Sequence, residues 1–331
     1  MKRVQLIVIA LALLASAALA GGVKAQTPSL RVMLDWTPNT NHLGLYVAQA
    51  KGFYEEAGVS VELLPPGDTL VEQIVSAGTA DVGVSYSEGF TIARASGLPI
   101  VSIAAIIQHN TSGFAALSDA HPLKSPADLK GLRYGAFGSP VEQPFIDLLM
   151  KCADADASSV EVINVGYVDP LPLLERDKVD FVWLYYAWDG LRAKLSGLNL
   201  DMLMLKDYAN CVPDYYTPIL ISSEDVIQNN PDALKAFMAA TAKGYQYAIE
   251  NPEEAADILL QAAPDLDAAL VKESALWLKD QFQADAPRWG EQSAEVWQKF
   301  VDFMAENKVI EQPFEVDQAF SNDFLPAAET K

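Results

Sequence analysis

The sequence predicts an α/β protein of two lobes with a ligand cleft between them. Three observations lead there. Short apolar runs alternate with amphipathic stretches from Ser29 to about Ile221, the rhythm of strands and helices in parallel sheets. A chain of 331 residues, at roughly 150 per domain, carries about two such units. No Pro-, Gly- or Ser-rich linker separates them, so short crossings join the lobes at a crevice. Ligands of open α/β sheets sit beyond the carboxyl ends of strands. The loops that follow strands are therefore where function is sought.

The first residues read as an export signal. Lys2 and Arg3 precede the apolar run Val4–Leu19, followed by small residues and Gly21-Gly22, the order of a secretory signal peptide. Cleavage after Ala20 or after Ala25 fits the small-x-small rule, and 1–25 is taken as the signal. The run falls short of the ~20 apolar residues of a comfortable membrane span. No Cys stands directly after it, so a free periplasmic protein is expected rather than a lipid-anchored one.

The elements of the remaining chain follow in order. Leu30–Leu34 is a strand, and Leu43, Tyr46, Val47, Ala50 and Phe53 mark a helix over His42–Ala57 that stops at Gly58. Val59–Leu64 is a second strand, and Thr69 with Glu72 forms a capping box for a helix ending near Gly78. Val82–Ser85 is a short strand and Ile100–Ile107 a buried β-branched one. A new unit starts near Ser118, with Ser125-Pro126 and Ser139-Pro140 opening helices around the strand Arg133–Phe137. Val160–Val165 and Phe181–Tyr185 are further strands, with Pro170–Arg176 between them. After Ser223 the spacing is helical over Asp232–Glu250, Pro252–Ala263, Asp267–Gln283 and Ala294–Asn307. The lobes are expected at 26–116 with 218–331, and at 117–217.

Composition excludes several chemistries. There are 23 Lys+Arg against 44 Asp+Glu, a net charge of −21, and such a surface repels nucleic acid and anionic lipid. Two Cys and three His, the latter at 42, 109 and 121, make no zinc cluster of usual spacing. The phosphate-binding Gly-rich loops are absent, and Gly83-Val84-Ser85-Tyr86-Ser87 lacks the final Gly of a nucleophile elbow. No catalytic residue or metal ligand is therefore assigned. In an oxidising compartment Cys152 and Cys211 either pair or remain two buried thiols. The residues alone leave both open.

The loops after strands are richer. Asp35-Trp36-Thr37-Pro38-Asn39-Thr40-Asn41-His42 packs a carboxylate, an indole, amides and an imidazole into eight residues. A planar heterocycle needs an aromatic face to stack on and polar groups at its edge, and this loop offers both, although Asn41 or Thr40 also serves as a helix cap. Ser85-Tyr86-Ser87-Glu88 adds a ring and a carboxylate, and Gln108-His109-Asn110-Thr111-Ser112 adds polar groups. Tyr185-Tyr186-Ala187-Trp188-Asp189 gathers aromatics where a core strand ends, and Tyr215-Tyr216 stands where the chain recrosses between lobes. Gly138-Ser139-Pro140-Val141-Glu142 opens a helix whose free N–H groups suit a polar or anionic group.

Read together, Asp35–His42, Ala50-Lys51-Gly52-Phe53-Tyr54 and Gly78-Thr79-Ala80-Asp81-Val82-Gly83-Val84 resemble substrate-binding proteins of bacterial ABC importers. The branch is the one related to the thiamine-pyrimidine synthase of yeasts. Leu129-Lys130-Gly131, Tyr134-Gly135 and Asn251-Pro252-Glu253-Glu254-Ala255-Ala256 extend the likeness over essentially the whole mature chain. The resemblance implies a hinged, two-lobe periplasmic-binding-protein fold of type II, monomeric and without a cofactor. It also implies delivery of the ligand to a membrane permease with its ATPase. Ligands of the branch are aminopyrimidine precursors of thiamine, including the formylated form, and in some members riboflavin. Trp36 or a tyrosine would stack, Asp35 or Glu88 would accept from the amino group, and Asn39 would fix an edge.

One departure separates this chain from the synthases. They carry a pyridoxal-phosphate lysine and a consumed histidine just after the third strand, where Ser85 and Gly89 stand here. Their Cys-rich run is replaced by Ala209-Asn210-Cys211-Val212-Pro213-Asp214-Tyr215. Without the lysine there is no Schiff base. An aminopyrimidine binder is thus expected, with a riboflavin binder as the rival and an exported enzyme acting on a heterocycle as the rival of another class.

Overall fold

The protein is described from a computed structural model covering residues 27–328; the expected signal segment lies outside them. The strands are β1 (Ser29–Met33), β2 (Ser60–Leu64), β3 (Val82–Ser85), β4 (Ile100–Ala105), β5 (Ser112–Leu117), β6 (Arg133–Ala136), β7 (Glu161–Asn164), β8 (Phe181–Tyr185), β9 (Leu200–Met204) and β10 (Ile219–Ser223). They form two five-stranded sheets, ordered β2-β1-β3-β10-β4 and β7-β6-β8-β5-β9. In the first, β1 pairs parallel with β2 and β3, while β10 runs antiparallel between β3 and β4. The second repeats the plan: β6 pairs parallel with β7 and β8, and β5 runs antiparallel to β8 and β9. β10 and β5 are each the first strand after a crossing, so the two crossings lie between the sheets.

This corrects one boundary. β5 hydrogen-bonds in the second sheet, so the second lobe begins at Ser112 and not near Ser118. Its sequence, Ser-Gly-Phe-Ala-Ala-Leu, contains no β-branched residue, and the run ending at Ile107 masks the turn before it.

The helices with ranges are α1 (Leu43–Ala50), α2 (Phe53–Glu56), α3 (Val71–Ser76), α4 (Ser87–Ala95), α5 (Glu142–Cys152), α6 (Leu171–Glu175), α7 (Leu191–Leu195), α8 (Glu224–Asn229), α9 (Pro231–Glu250), α10 (Pro252–Ala262), α11 (Ala268–Leu278) and α12 (Ala294–Glu306). The single helix expected over 42–57 is broken at Gly52, whose φ of 73° ends α1 and turns the chain into α2. The expected capping box before α3 does not form: no side chain caps this helix, and the Glu72 carboxylate accepts the Ser85 hydroxyl instead. The long helices start where expected because Pro231, Pro252 and the cap Asp267 fix their starts, but α11 ends at Leu278, five residues before the expected Gln283.

Packing ties α9 to the first lobe, whereas α11 and α12 also touch the second, Trp277 against Tyr186 and Phe303 against Phe145. α9 crosses α1 at Gly44 and Gly244, where a Cβ on Gly244 would stand 2.1 Å from the Gly44 carbonyl oxygen. Next to that contact, Tyr245 stacks on Trp289 at 4.2 Å and donates to the Asn41 carbonyl at 2.7 Å. α12 seats Trp297 and Phe300 against Phe90 and Tyr215. Cys152 and Cys211 form a disulfide with Cα atoms 6.0 Å apart, joining the end of α5 to the segment that leads into the second crossing.

Candidate functional site

The site is built where β1, β3, β8 and the two crossings end together. Pairing of β1 with β3 brings Asp35 beside Tyr86. The Asp35 carboxylate accepts from His42 Nε2 at 2.6 Å and from the Tyr86 hydroxyl. His42 can donate there because its Nδ1 accepts the Asn39 backbone N–H at 3.2 Å, leaving the proton on Nε2. Burial alone would raise the Asp35 carboxyl, but these hydrogen bonds outweigh it and hold the group below its ordinary range. Burial and the Asp35 charge push the Tyr86 phenol well above its usual value, so it stays a donor.

Glu88, in the first turn of α4, is 7% exposed. Its Oε1 accepts the Tyr215 hydroxyl at 2.5 Å, and its Oε2 meets no donor of the protein. Burial drives its carboxyl up to about 7, with the Tyr215 hydrogen bond opposing. From the second lobe, the Tyr185 ring lies 6.1 Å from that of Tyr86 at 33°. Both lobes thus bring tyrosines to one place, beside two carboxyls in different states. Trp36, next to Asp35 in the chain, is 52% exposed.

Several expected site residues have other tasks. Asn39, not Asn41 or Thr40, caps the turn at Thr40–His42; its Oδ1 accepts from Asn41 N and its Nδ2 donates to the Thr37 carbonyl. Glu142 accepts from the Tyr134 hydroxyl and from the backbone N–H of Phe137, Gly138 and Ser139. The N–H groups offered to an anion are therefore taken by the chain's own carboxylate, and Ser139 enters the site only as part of that braced loop. Tyr216 is core: its ring lies 6.0 Å from Trp297 and its hydroxyl accepts Ser293 N–H. Tyr215 is likewise stacked in the core, 4.3 Å from Phe300, and reaches the site through its hydroxyl alone.

The first crossing holds His109 and Asn110. His109 lies between Asp214 at 2.5 Å and Asp285 at 3.0 Å; the Asp214 hydrogen bond chiefly raises its pKa, against partial burial. Asp214 also accepts the backbone N–H of Asn110 and of Tyr215, stitching one crossing to the other. Asn110 Oδ1 accepts from Ser112, while its buried Nδ2 meets no acceptor of the protein. Trp188 lies in the single π-helical turn Tyr186–Gly190 and packs half-buried on the first lobe's core.

Sequence reasoning passed over Tyr167. It is 78% exposed in the loop after β7, and its ring lies 5.3 Å from Phe137, the residue after β6. The rule that singled out the other loops, an aromatic just past a strand, finds both. Among the described residues no group of three side chains is arranged to hold a metal ion, and no helix is long and apolar enough to cross a membrane.

Residues 39–255 match the family described as NMT1/THI5 like. The chain belongs to that family. It is 30% identical over 299 residues to a formylaminopyrimidine-binding protein of Halalkalibacterium halodurans, covering 89% of this chain and 90% of that one. It is 27% identical to a 4-amino-5-hydroxymethyl-2-methylpyrimidine phosphate synthase of Legionella pneumophila, covering 89% and 92%. It is 25% identical to the riboflavin-binding protein RibY of Chloroflexus aurantiacus, covering 94% and 90%. The solved periplasmic aliphatic sulphonate binding protein SsuA of Escherichia coli superposes with a TM-score of 0.69 at 15% identity, covering 93% and 96%. The family fold here is thus the two-lobe α/β fold of periplasmic binding proteins.

Against the synthase members, the structure adds a spatial argument. The Ser85 hydroxyl is bound to Glu72, and a Cβ on Gly89 would stand 2.9 Å from Glu72 Oε1. The end of the Glu72 side chain thus borders both positions that the synthases are expected to fill with lysine and histidine.

Proposed function

We propose that the protein is an exported, non-enzymatic solute-binding protein of an ABC importer that closes its lobes on a planar aminopyrimidine of the thiamine-precursor type. The observation that carries this reading is the meeting of Tyr86 and Tyr185 from opposite lobes beside the carboxyls of Asp35 and Glu88. Rings supply faces for a flat heterocycle and carboxyls supply acceptors for its amine. The formylaminopyrimidine-binding relative supports the ligand class. The amino-terminal segment and the Cys152–Cys211 disulfide support export to an oxidising periplasm. In action the open form samples closure, and a ligand touching both lobes shifts that population. The closed, monomeric form would then dock on the permease.

A thermal-shift panel on the mature protein tests this. At ~100 times its dissociation constant a ligand adds roughly 2.7 kcal/mol, a plain rise in melting temperature. A rise with formylaminopyrimidine and aminopyrimidines alone is the expected result. A rise with riboflavin alone would replace the ligand and keep the importer role; RibY and the two exposed rings, Trp36 and Tyr167, favour that second reading. No rise with any, from protein free of carried-over ligand, would overturn both. Ligand converted to product on long incubation would overturn the non-enzymatic reading.

A further inference from the structure

Two carboxyls stand in the cluster, and the structure separates them. Asp35 has a donor on each oxygen, His42 on one and Tyr86 on the other. Glu88 has a donor on Oε1 only, and its buried Oε2 meets none. A buried carboxyl oxygen without a partner is a standing cost, and a ligand that brings a donor removes it. Tyr215 from the crossing donates to Glu88, and Tyr86, at the start of the Glu88 helix, lies ring to ring 6.1 Å from Tyr185 of the second lobe, so Glu88 lies where the lobes meet. Its charge also acts on the phenols of Tyr86, Tyr167, Tyr185 and Tyr215. No cation is among the groups that act on it, and burial raises its carboxyl to about 7.

We propose that Glu88, rather than Asp35, is the specificity-determining residue, and that it selects ligands carrying an amine beside a basic ring nitrogen. This rests on the aminopyrimidine reading above. Such an edge donates an N–H to one carboxyl oxygen and takes the carboxyl proton at its ring nitrogen. The proton leaves Glu88 and arrives on the ligand, leaving a carboxylate paired with an amidinium through charge-assisted hydrogen bonds. An oxo edge has no basic nitrogen to take that proton and can pair only with the neutral carboxyl. Where Glu88 is ionised, its carbonyl faces a carboxylate with no hydrogen between them, whereas the amine edge keeps both hydrogen bonds. Asp35 instead holds His42 and Tyr86 in place.

The test is calorimetric titration of wild type and Glu88→Gln with formylaminopyrimidine and with its oxo counterpart, in which a carbonyl replaces the ring amine. A glutamine amide pairs with either edge, so it should erase the preference. At mildly alkaline pH, where the free carboxyl is ionised, wild type is expected to favour the amine at least tenfold, and Glu88→Gln to hold the two within threefold. Asp35→Asn is expected to weaken both ligands alike. A preference kept in Glu88→Gln would overturn the assignment and leave the ligand reading standing. Wild type binding neither compound would overturn the ligand reading itself, and equal binding by wild type would overturn the assignment. Should Glu88→Gln fail to fold, Glu88→Asp, which withdraws the carboxyl by one methylene, reads the same ratio. Proton exchange, measured in buffers of different ionisation enthalpy, follows from the same step: binding takes up none where Glu88 starts protonated and one where it starts ionised, a pH dependence that Glu88→Gln should lose and that a merely structural Glu88 would not produce.

Discussion

Replacing Glu88 by Gln should flatten a slope in the pH dependence of stability. In the folded, ligand-free protein the carboxyl titrates at about 7, against an ordinary value of 4.5. The folded chain therefore binds this proton more tightly than the unfolded chain does. Its contribution is fully present below the unfolded value and is lost as pH rises through the folded one. The shift corresponds to about 3 kcal/mol lost between the two values. Burial is the cause, since the side chain is almost wholly enclosed and only Tyr215 answers it. Urea denaturation of both proteins at closely spaced pH measures the difference directly. His109, whose raised pKa also makes stability fall with rising pH, is common to both and cancels. Glu88→Gln should match wild type at acid pH and exceed it by about 3 kcal/mol at mildly alkaline pH. Parallel curves would refute the reasoning, because they would mean that Glu88 is solvated or paired in the folded state.

Three further outcomes are expected. Reducing the Cys152–Cys211 bond frees a loop with a sequence separation of 59, which should cost about 4 kcal/mol; denaturant midpoints of oxidised and reduced protein measure it, and equal midpoints would show that the crosslink adds nothing. His42→Ala leaves the buried Asp35 with Tyr86 alone and should cost about 3 kcal/mol; a melting curve within experimental scatter of wild type would dissolve the cluster. Trp36→Ala removes a ring that is half exposed, so stability should stay within about 0.5 kcal/mol while pyrimidine affinity falls tenfold or more. Unchanged affinity would take that loop out of the site.

The sequence made the loops after strands legible, because a polar or aromatic residue just past an apolar run has few structural reasons to be there. Asp35, His42, Tyr86, Glu88 and Tyr185 all stand in such loops, and the structure brings them together. It could not show which polar groups are already satisfied. Asn39 and Glu142 look like ligand-facing groups until their partners are counted, and every partner is a neighbour in the same loop or sheet. Tyr215 and Tyr216 stand where the chain recrosses between lobes, yet their rings fill the core beside α12, whose approach depends on a chain segment some eighty residues away. β5 was missed for a local reason, as its small residues give no strand signal and its pairing with β8 and β9 alone holds it extended.

The order of strands also dictates the order of assembly. Each pairing of β4 is with later chain: β10, then the bridges from Ser102 to Phe320 and from Ala105 to Gly290. The second sheet, by contrast, uses one continuous stretch from Ser112 to Met204. A chain delivered from its amino end can therefore complete the second lobe while β4 still waits without a partner. The first lobe closes only when residues beyond 218 arrive, and a truncation between β9 and β10 leaves the second sheet complete and the first with an open edge prone to aggregation.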